Sequence, residues 1–257
     1  MTDAVEQFRA LHVPGDPLVL FNIWDAGSAR AVAAAGAKAI ATGSYGVAEA
    51  QGFKDGETFA LEDALLNLKR IVGVTDLPVS IDMETGYGAT PEEVGRSVAA
   101  ARAAGAAGIN MEDRPSGQSD LVPQAEQVRR LAAAAASGLF VNARCDVFRG
   151  QNVVEDGPAL VAATLERARA YADAGASGLF VPFLGDMTCI AAICEKSPLP
   201  VNILWSPPCG DRAQLAGLGV ARISHGHQPW AAAMAWLGVQ AAEVFAGKVP
   251  PYSQTKL

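Results

Sequence analysis

The chain has 257 residues, half of them hydrophobic and 18% charged, which suits one large buried core and excludes a disordered polymer. A formal charge of −7 argues against nucleic acid or an anionic membrane surface as a partner, and no apolar run reaches the roughly 18 residues of a membrane span. The four cysteines show no paired spacing, and the N-terminus lacks a basic segment followed by an apolar one, so a cytoplasmic protein with reduced thiols is expected.

In chain order, one phrase recurs: a helix ending in Ala-Gly-Ala or similar, a short apolar strand, then a polar turn. It occurs at 34–43, 103–112 and 174–182, and more loosely at 218–224. The glycine is suited to a left-handed helix cap, and the run after it to a fully buried parallel strand. Filling the gaps predicts strands at 18–22, 38–42, 78–82, 108–112, 139–143, 178–182, 200–204 and 221–224. Helices are predicted at 58–72, 91–104, 124–136, 158–173 and 229–246, the second opened by a Thr90–Glu93 capping box with Pro91 in its first turn. Eight alternations without a linker predict a single (β/α)8 TIM barrel over residues 1–257. An open doubly wound sheet is the alternative, because periodicity does not show closure.

Catalytic groups of such a barrel sit at the C-terminal strand ends. Those ends read Asn22 to Asp25, Thr42 to Gly46, Asp82 to Gly88, Glu112 to Arg114, Asn142 to Asp146, and Asn202. Acids converging at one mouth repel each other unless a cation neutralises them. Oxygen donors without thiolate or imidazole point to Mg2+ or Mn2+, and the histidines at 12, 225 and 227 are too few for a zinc site. Asp82 and Glu84, ahead of a Gly-Tyr-Gly turn, carry that reading best; Asp113 and Asp146 read first as capping or surface carboxylates. Gly43, Ser44 and Tyr45 would present consecutive backbone N–H groups to a carboxylate, or form an ordinary turn. Arg144 reads as substrate-facing, or as a buried partner of the neighbouring acids.

Four stretches carry a family resemblance: Asn22-x-Trp24-Asp25-Ala26-Gly27-Ser28-Ala29-Arg30, Asp82-x-Glu84-Thr85-Gly86-Tyr87-Gly88, Gly108-Ile109-Asn110-Met111-Glu112-Asp113, and Asn142-Ala143-Arg144. In this order they resemble the isocitrate lyase/phosphoenolpyruvate mutase superfamily over nearly the whole chain. The resemblance implies a metal site of Asp55, Asp82, Glu84 and Glu112, with Asp82 the direct ligand. It also implies that Gly43, Ser44 and Tyr45 hold a substrate carboxylate and that Arg144 and Asn202 complete the pocket. Asp55, in Lys54-Asp55-Gly56-Glu57, reads as a plain turn without it. A homodimer or homotetramer is implied as well, with exchange of the C-terminal helix between subunits.

One departure matters. Lyases of this superfamily carry a Lys-Lys/Arg-Cys-Gly-His loop after strand 4; here Pro115 to Pro123 has no Cys, Lys or His. Cys145 is the nearest thiol and reads mainly as packing. Isocitrate and methylisocitrate cleavage are disfavoured, and phosphonopyruvate mutase chemistry is weakened. The expectation is an Mg2+-dependent carbon–carbon lyase or decarboxylase working through an enolate on a small, oxaloacetate-like 2-oxo or 2-hydroxy carboxylate. Arg144, Asp82 and Glu112 are its catalytic candidates, and Trp24, Tyr45, Phe183 and the Trp205–Cys209 loop shape the pocket. The alternatives are a phosphonopyruvate/phosphoenolpyruvate-type P–C bond enzyme and a non-catalytic 2-oxo-acid-binding protein.

Overall fold

A computed structural model describes residues 3–250 and residue 252. In chain order it runs α1 (Ala4–Ala10), β1 (Leu18–Leu20), α2 (Ala26–Ala34), β2 (Ile40–Ala41), α3 (Ser44–Ala50), α4 (Leu61–Val72) and β3 (Val79–Asp82). Then come α5 (Pro91–Ala103), β4 (Gly108–Glu112), α6 (Gln124–Ala135), β5 (Phe140–Arg144), α7 (Val153–Asp173) and β6 (Gly178–Val181). The last elements are α8 (Met187–Lys196), β7 (Val201–Leu204), α9 (Arg212–Gly217), β8 (Arg222–Ser224) and α10 (Gln228–Phe245). All strand pairs are parallel, in the order β1-β8-β7-β6-β5-β4-β3-β2. A bridge between Ile23 and Thr42 joins the two ends, with Ile23 N donating to Ala41 O at 2.9 Å and Gly43 N to Ile23 O at 3.2 Å. The sheet therefore curls into a barrel, and the open-sheet alternative is excluded.

Local signals explain much of this. The glycine of the recurring phrase has positive φ after each helix, at Gly36, Gly105, Gly175 and Gly219. The Thr90–Glu93 capping box forms at α5. The predicted helix at 158–173 begins five residues earlier, because Asn152 accepts from Val154 N and Pro158 is accommodated in the second turn. Short α1, α3, α8 and α9 had no sufficient periodicity in the sequence.

Successive residues alternate between the helix layer and the barrel interior. Ile81, Ile109, Met111, Val141, Leu179, Val181, Ile203 and Ile223 face outward into one large apolar core. A second apolar cluster of Phe8, Leu18, Leu20, Ala39, Ala41, Ala107 and Phe140 fills the N-terminal end of the barrel. There α1 forms a plug: Phe8 meets Phe140 edge-on at 5.3 Å and the His12 ring stacks on Phe140 at 4.0 Å. Gly108 permits this, since a Cβ there would lie 2.7 Å from Phe8 Cε1. Burial, with Arg222 second, pushes the His12 pKa down to about 3.

Above the plug the inward positions turn polar. Asn110, Asn142, Asn202, Arg222 and Ser224 are all at most 5% exposed and joined by hydrogen bonds. This polar layer carries the mouth.

Candidate active site

The C-terminal strand ends enclose a cavity of about 170 Å3. Acids on one side, Asp55, Asp82, Glu84 and Glu112, face Arg144 and Arg149, with Gly43, Ser44 and Tyr45 at the rim. Asn22, Asn110 and Ser224 contribute to the floor, while Phe183, His227 and Ser116 also line the cavity.

Each acid is held in place. Asp82 ends β3 and accepts from Ser44 N at 3.2 Å and from Glu84 N at 3.3 Å. Glu84 has a left-handed φ of 48°, which only surrounding contacts can sustain in a residue with a side chain. Its Oε2 accepts from Glu57 N at 2.6 Å, and its Oε1 from Tyr87 OH at 3.3 Å. Glu57 completes the clamp from the α3–α4 loop: its Oε1 accepts from Thr85 N at 2.9 Å, Thr85 Oγ1 at 2.6 Å and Tyr87 N at 3.1 Å. Glu112 pairs with Arg144. Arg144 also donates through Nε and Nη2 to both oxygens of Asp146, at 2.7 and 2.8 Å.

Asp113 and Asp146 are fully buried rather than surface carboxylates, and they brace the site from behind. Asp113 accepts from Asp146 N at 2.8 Å, Tyr171 OH at 2.6 Å and Arg167 Nη1 at 3.1 Å. Asp146 in turn fixes Arg144 before any ligand arrives.

The electrostatics record the crowding. Burial first, then the charges of Asp82 and Asp55, pushes Glu84 up to about 8. Burial also pushes Glu112 up to about 8, against the opposing pull of Arg144. Asp82 is raised by burial too, again with Arg144 opposing. Burial works against the charge of Arg144, but Glu112, Asp146 and Asp82 outweigh it and keep the guanidinium protonated.

Four oxygen acids with this excess of buried negative charge suit a hard divalent cation. Among the described residues no three of them close on a single point. That fits Mg2+, which retains waters and needs only one or two direct carboxylates.

The backbone at Gly43–Tyr45 differs from a free anion nest. Gly43 N donates to Ile23 O and Ser44 N to Asp82, leaving the Ser44 hydroxyl and the Tyr45 amide for a ligand. Trp24 and Asn202 are not part of the lining. Trp24 packs against the core with its carbonyl accepting from Asn67, and Asn202 accepts from Ser224 within the polar layer. Cys145 is fully buried, its thiol pushed well up by burial and by Asp113, and lies off the cavity. Of the Pro115–Pro123 loop only Ser116 reaches the lining. His227 lines it, whereas His225 stacks on Trp205.

Sequence reasoning did not single out Glu57, Asn110, Arg149 or Ser224. The signal for one of them was available: Asn110 lies two residues before Glu112, on the same strand face. Glu57 and Arg149 lie in loops, where no periodicity points inward.

The family model for phosphoenolpyruvate phosphomutase matches residues 8–245. The chain belongs to the phosphoenolpyruvate phosphomutase family. This places it in the isocitrate lyase/phosphoenolpyruvate mutase superfamily that its motifs resemble. The phosphomutase-family barrel is similar to the solved structure of a provisionally assigned phosphonomutase from Burkholderia cenocepacia J2315. That similarity has a TM-score of 0.90 and 47% identity, covering 95% of this chain and 98% of the other. The 2-methylisocitrate lyase of Salmonella typhimurium (strain LT2) is 29% identical over 209 residues, 76% of this chain and 68% of the relative. The oxaloacetate decarboxylase of Pseudomonas savastanoi pv. phaseolicola (strain 1448A) is 28% identical over 243 residues, 90% and 81% of the two chains. Both relatives are lyases. Phosphonopyruvate hydrolase solved with oxalate and Mg2+ shares the fold at 21% identity and a TM-score of 0.84, over 100% of this chain and 92% of that one.

Proposed function

We propose that the chain is a divalent-metal-dependent carbon–carbon lyase acting on a small 2-oxo dicarboxylate, with decarboxylation of oxaloacetate as its reaction. The observation that carries this reading is the content of the cavity. It has a crowded acid set opposite two arginines, and among the described residues the loop after β4 brings only the Ser116 hydroxyl to it, with no cysteine or lysine in the lining. Lyases that must protonate a leaving carboxylate product need a proton donor. Loss of CO2 does not.

Asp82 would hold the ion most directly, with Asp55, Glu84 and Glu112 around it. When bound, Mg2+ supplies Lewis-acid polarisation of a 2-oxo acid and offsets the crowded negative charge. The rest falls to the protein. The Ser44 hydroxyl and the Tyr45 amide receive the carboxylate next to the oxo group. Arg149, whose guanidinium lies 5.4 Å over the Phe183 ring in the cavity lining, receives the distal one. Breaking the C3–C4 bond releases CO2 and moves its electron pair into the 2-oxo group, giving the enolate of pyruvate. Arg144, kept charged and aimed by Asp146, stabilises the oxygen where that charge develops. A water at the mouth then protonates C3.

The 47% identity to the provisionally assigned phosphonomutase favours P–C bond chemistry as a second reading. Proton and phosphorus NMR of the Mg2+-loaded protein with oxaloacetate, alkylated malates, isocitrate, methylisocitrate and phosphonopyruvate separates the two. Asp82→Ala is the control, because free Mg2+ decarboxylates oxaloacetate unaided. Metal-dependent formation of pyruvate that disappears in Asp82→Ala supports the first reading. Turnover of phosphonopyruvate alone replaces it. Stabilisation by oxo acids without any turnover makes the chain a binding protein.

The same reading includes a homo-oligomer. In α10 only Pro229 is buried, while Trp236, Leu237 and Val239 are more than half exposed. Exposed Val19 of β1 and Phe21 just after it lie beside a groove of about 760 Å3 that also involves Val13, Val32 and Ala35. An unpaired apolar helix and an uncovered apolar strand face in one chain suit exchange of α10 between two copies.

A further inference from the structure

Arg222 has no part in the chemistry above, yet among the described residues it is the largest fully buried side chain. It points from β8 into the barrel beneath the cavity. Nη2 donates to Asn110 Oδ1 at 3.1 Å and Nε to Ser224 Oγ at 3.2 Å. Nη1 has no hydrogen-bond partner among the described residues, and none of their carboxylates lies within ion-pair distance of the guanidinium. The Phe8 ring of the plug covers its lower side, 6.0 Å from Cζ. A buried cation without an acid partner is costly unless something anionic offsets it.

Both partners of Arg222 belong to the floor of the cavity. Asn110 Oδ1 accepts from Arg222 and also from Asn142 Nδ2 at 2.8 Å. With its oxygen tied down by two donors, the amide of Asn110 has its NH2 left for the cavity. Ser224 receives the Arg222 Nε hydrogen and donates its own to Asn202 Oδ1 at 3.2 Å. The floor thereby presents one free donor, the Asn110 amide, with a buried cation beneath it.

We propose that Arg222 is a positioning residue for an anionic substrate: it fixes Asn110 as a donor toward the cavity and imposes a positive field on whatever carboxylate sits there. This rests on the reading of the site as a carboxylate pocket. A strut that only fills the barrel would hold the floor together without regard to ligand charge. A field acts on charge.

The test uses the Mg2+-loaded full chain, with calorimetric titration of oxalate, a dianion, and oxamate, its monoanionic amide. A unit charge about 10 Å away, at an effective dielectric constant of about 20, changes affinity on the order of tenfold per ligand charge. Arg222→Met is expected to weaken oxalate binding about tenfold more than oxamate binding. Arg222→Lys, which keeps the charge and loses the planar fork, is expected to weaken both while keeping their ratio near that of the unaltered protein. Equal weakening of the two ligands by Arg222→Met, or no weakening of either, overturns the proposal. Where Arg222→Met does not fold, the lysine variant decides: loss of the oxalate preference with the charge still present overturns it, and retention supports it. If the unaltered protein binds neither ligand, the carboxylate pocket itself is wrong and this inference falls with it.

Discussion

Replacing Asp146 by asparagine asks whether Arg144 is aimed by the protein or only by its ligand. The carboxylate is fully buried and receives two charge-assisted bonds from Arg144, at 2.7 and 2.8 Å, with Arg149 at 3.4 Å. Asparagine keeps one acceptor oxygen and loses the charge. Removing one partner of a buried pair costs about 3–5 kcal/mol, but Glu112 remains as a counter-ion, so about 2–3 kcal/mol is expected here. In a chain of this size that lowers the melting temperature by about 5–10 °C. With residue 146 neutral, Arg144 is expected to turn toward Glu112, which in the proposed reaction lowers kcat/KM for oxaloacetate by about 10- to 100-fold. Differential scanning calorimetry and a pyruvate-coupled assay read the two effects separately. A melting temperature within about 1 °C of the unaltered protein, together with unchanged kcat/KM, refutes the argument.

Three further outcomes are expected. Glu84 and Glu112 sit near 8 in the folded chain against an ordinary 4.5, so from pH 4.5 to 8 the unfolded state releases protons that the folded state retains. Stability of the EDTA-treated protein therefore falls as pH rises through that window, and Mg2+ flattens the slope; equal slopes in melting temperature with and without Mg2+ contradict this. The pKa of His12 is depressed from 6.5 to about 3, so stability is full above 6.5 and is lost as pH falls toward 3. Up to about 2 kcal/mol disappears between pH 7 and 5 in urea titrations at saturating Mg2+, a loss that His12→Leu removes. Finally, light scattering of the double variant Trp236→Asp, Leu237→Asp is expected to give the mass of one chain where the unaltered protein gives a multiple; identical masses dismiss α10 as the contact.

Much of the barrel was legible because each strand carries its own punctuation. The strand predicted at 108–112 coincides with β4, and the one at 139–143 lies one residue from β5, since a helix-capping glycine stands ahead of each. The charged residues of the mouth that sit on strands were legible for the same reason: once a strand end is known, Asp82, Glu112 and Arg144 follow. Residues that reach the site from loops were not. Glu57 works from a left-handed turn whose local pattern is that of any surface loop. The fully buried positions of Asp113 and Asp146 depend on Tyr171 and Arg167, more than 50 positions from Asp113 along the chain. Arg222 was overlooked because an arginine within a short apolar strand reads as a surface residue until the barrel closes around it.

The plug of Phe8, His12 and Phe140 makes the cavity a cup rather than a tunnel. In the proposed decarboxylation, the incoming acid, the departing CO2 and the remaining product would all share one opening, lined by Tyr45 and Phe183. On that reading CO2, small and neutral, would leave freely, while the anion left behind would have to detach from Arg144 and Arg149 before the next molecule descends. A vessel of that kind empties only through its mouth, so a tight anion lodged at the base would act as a stopper for both directions at once.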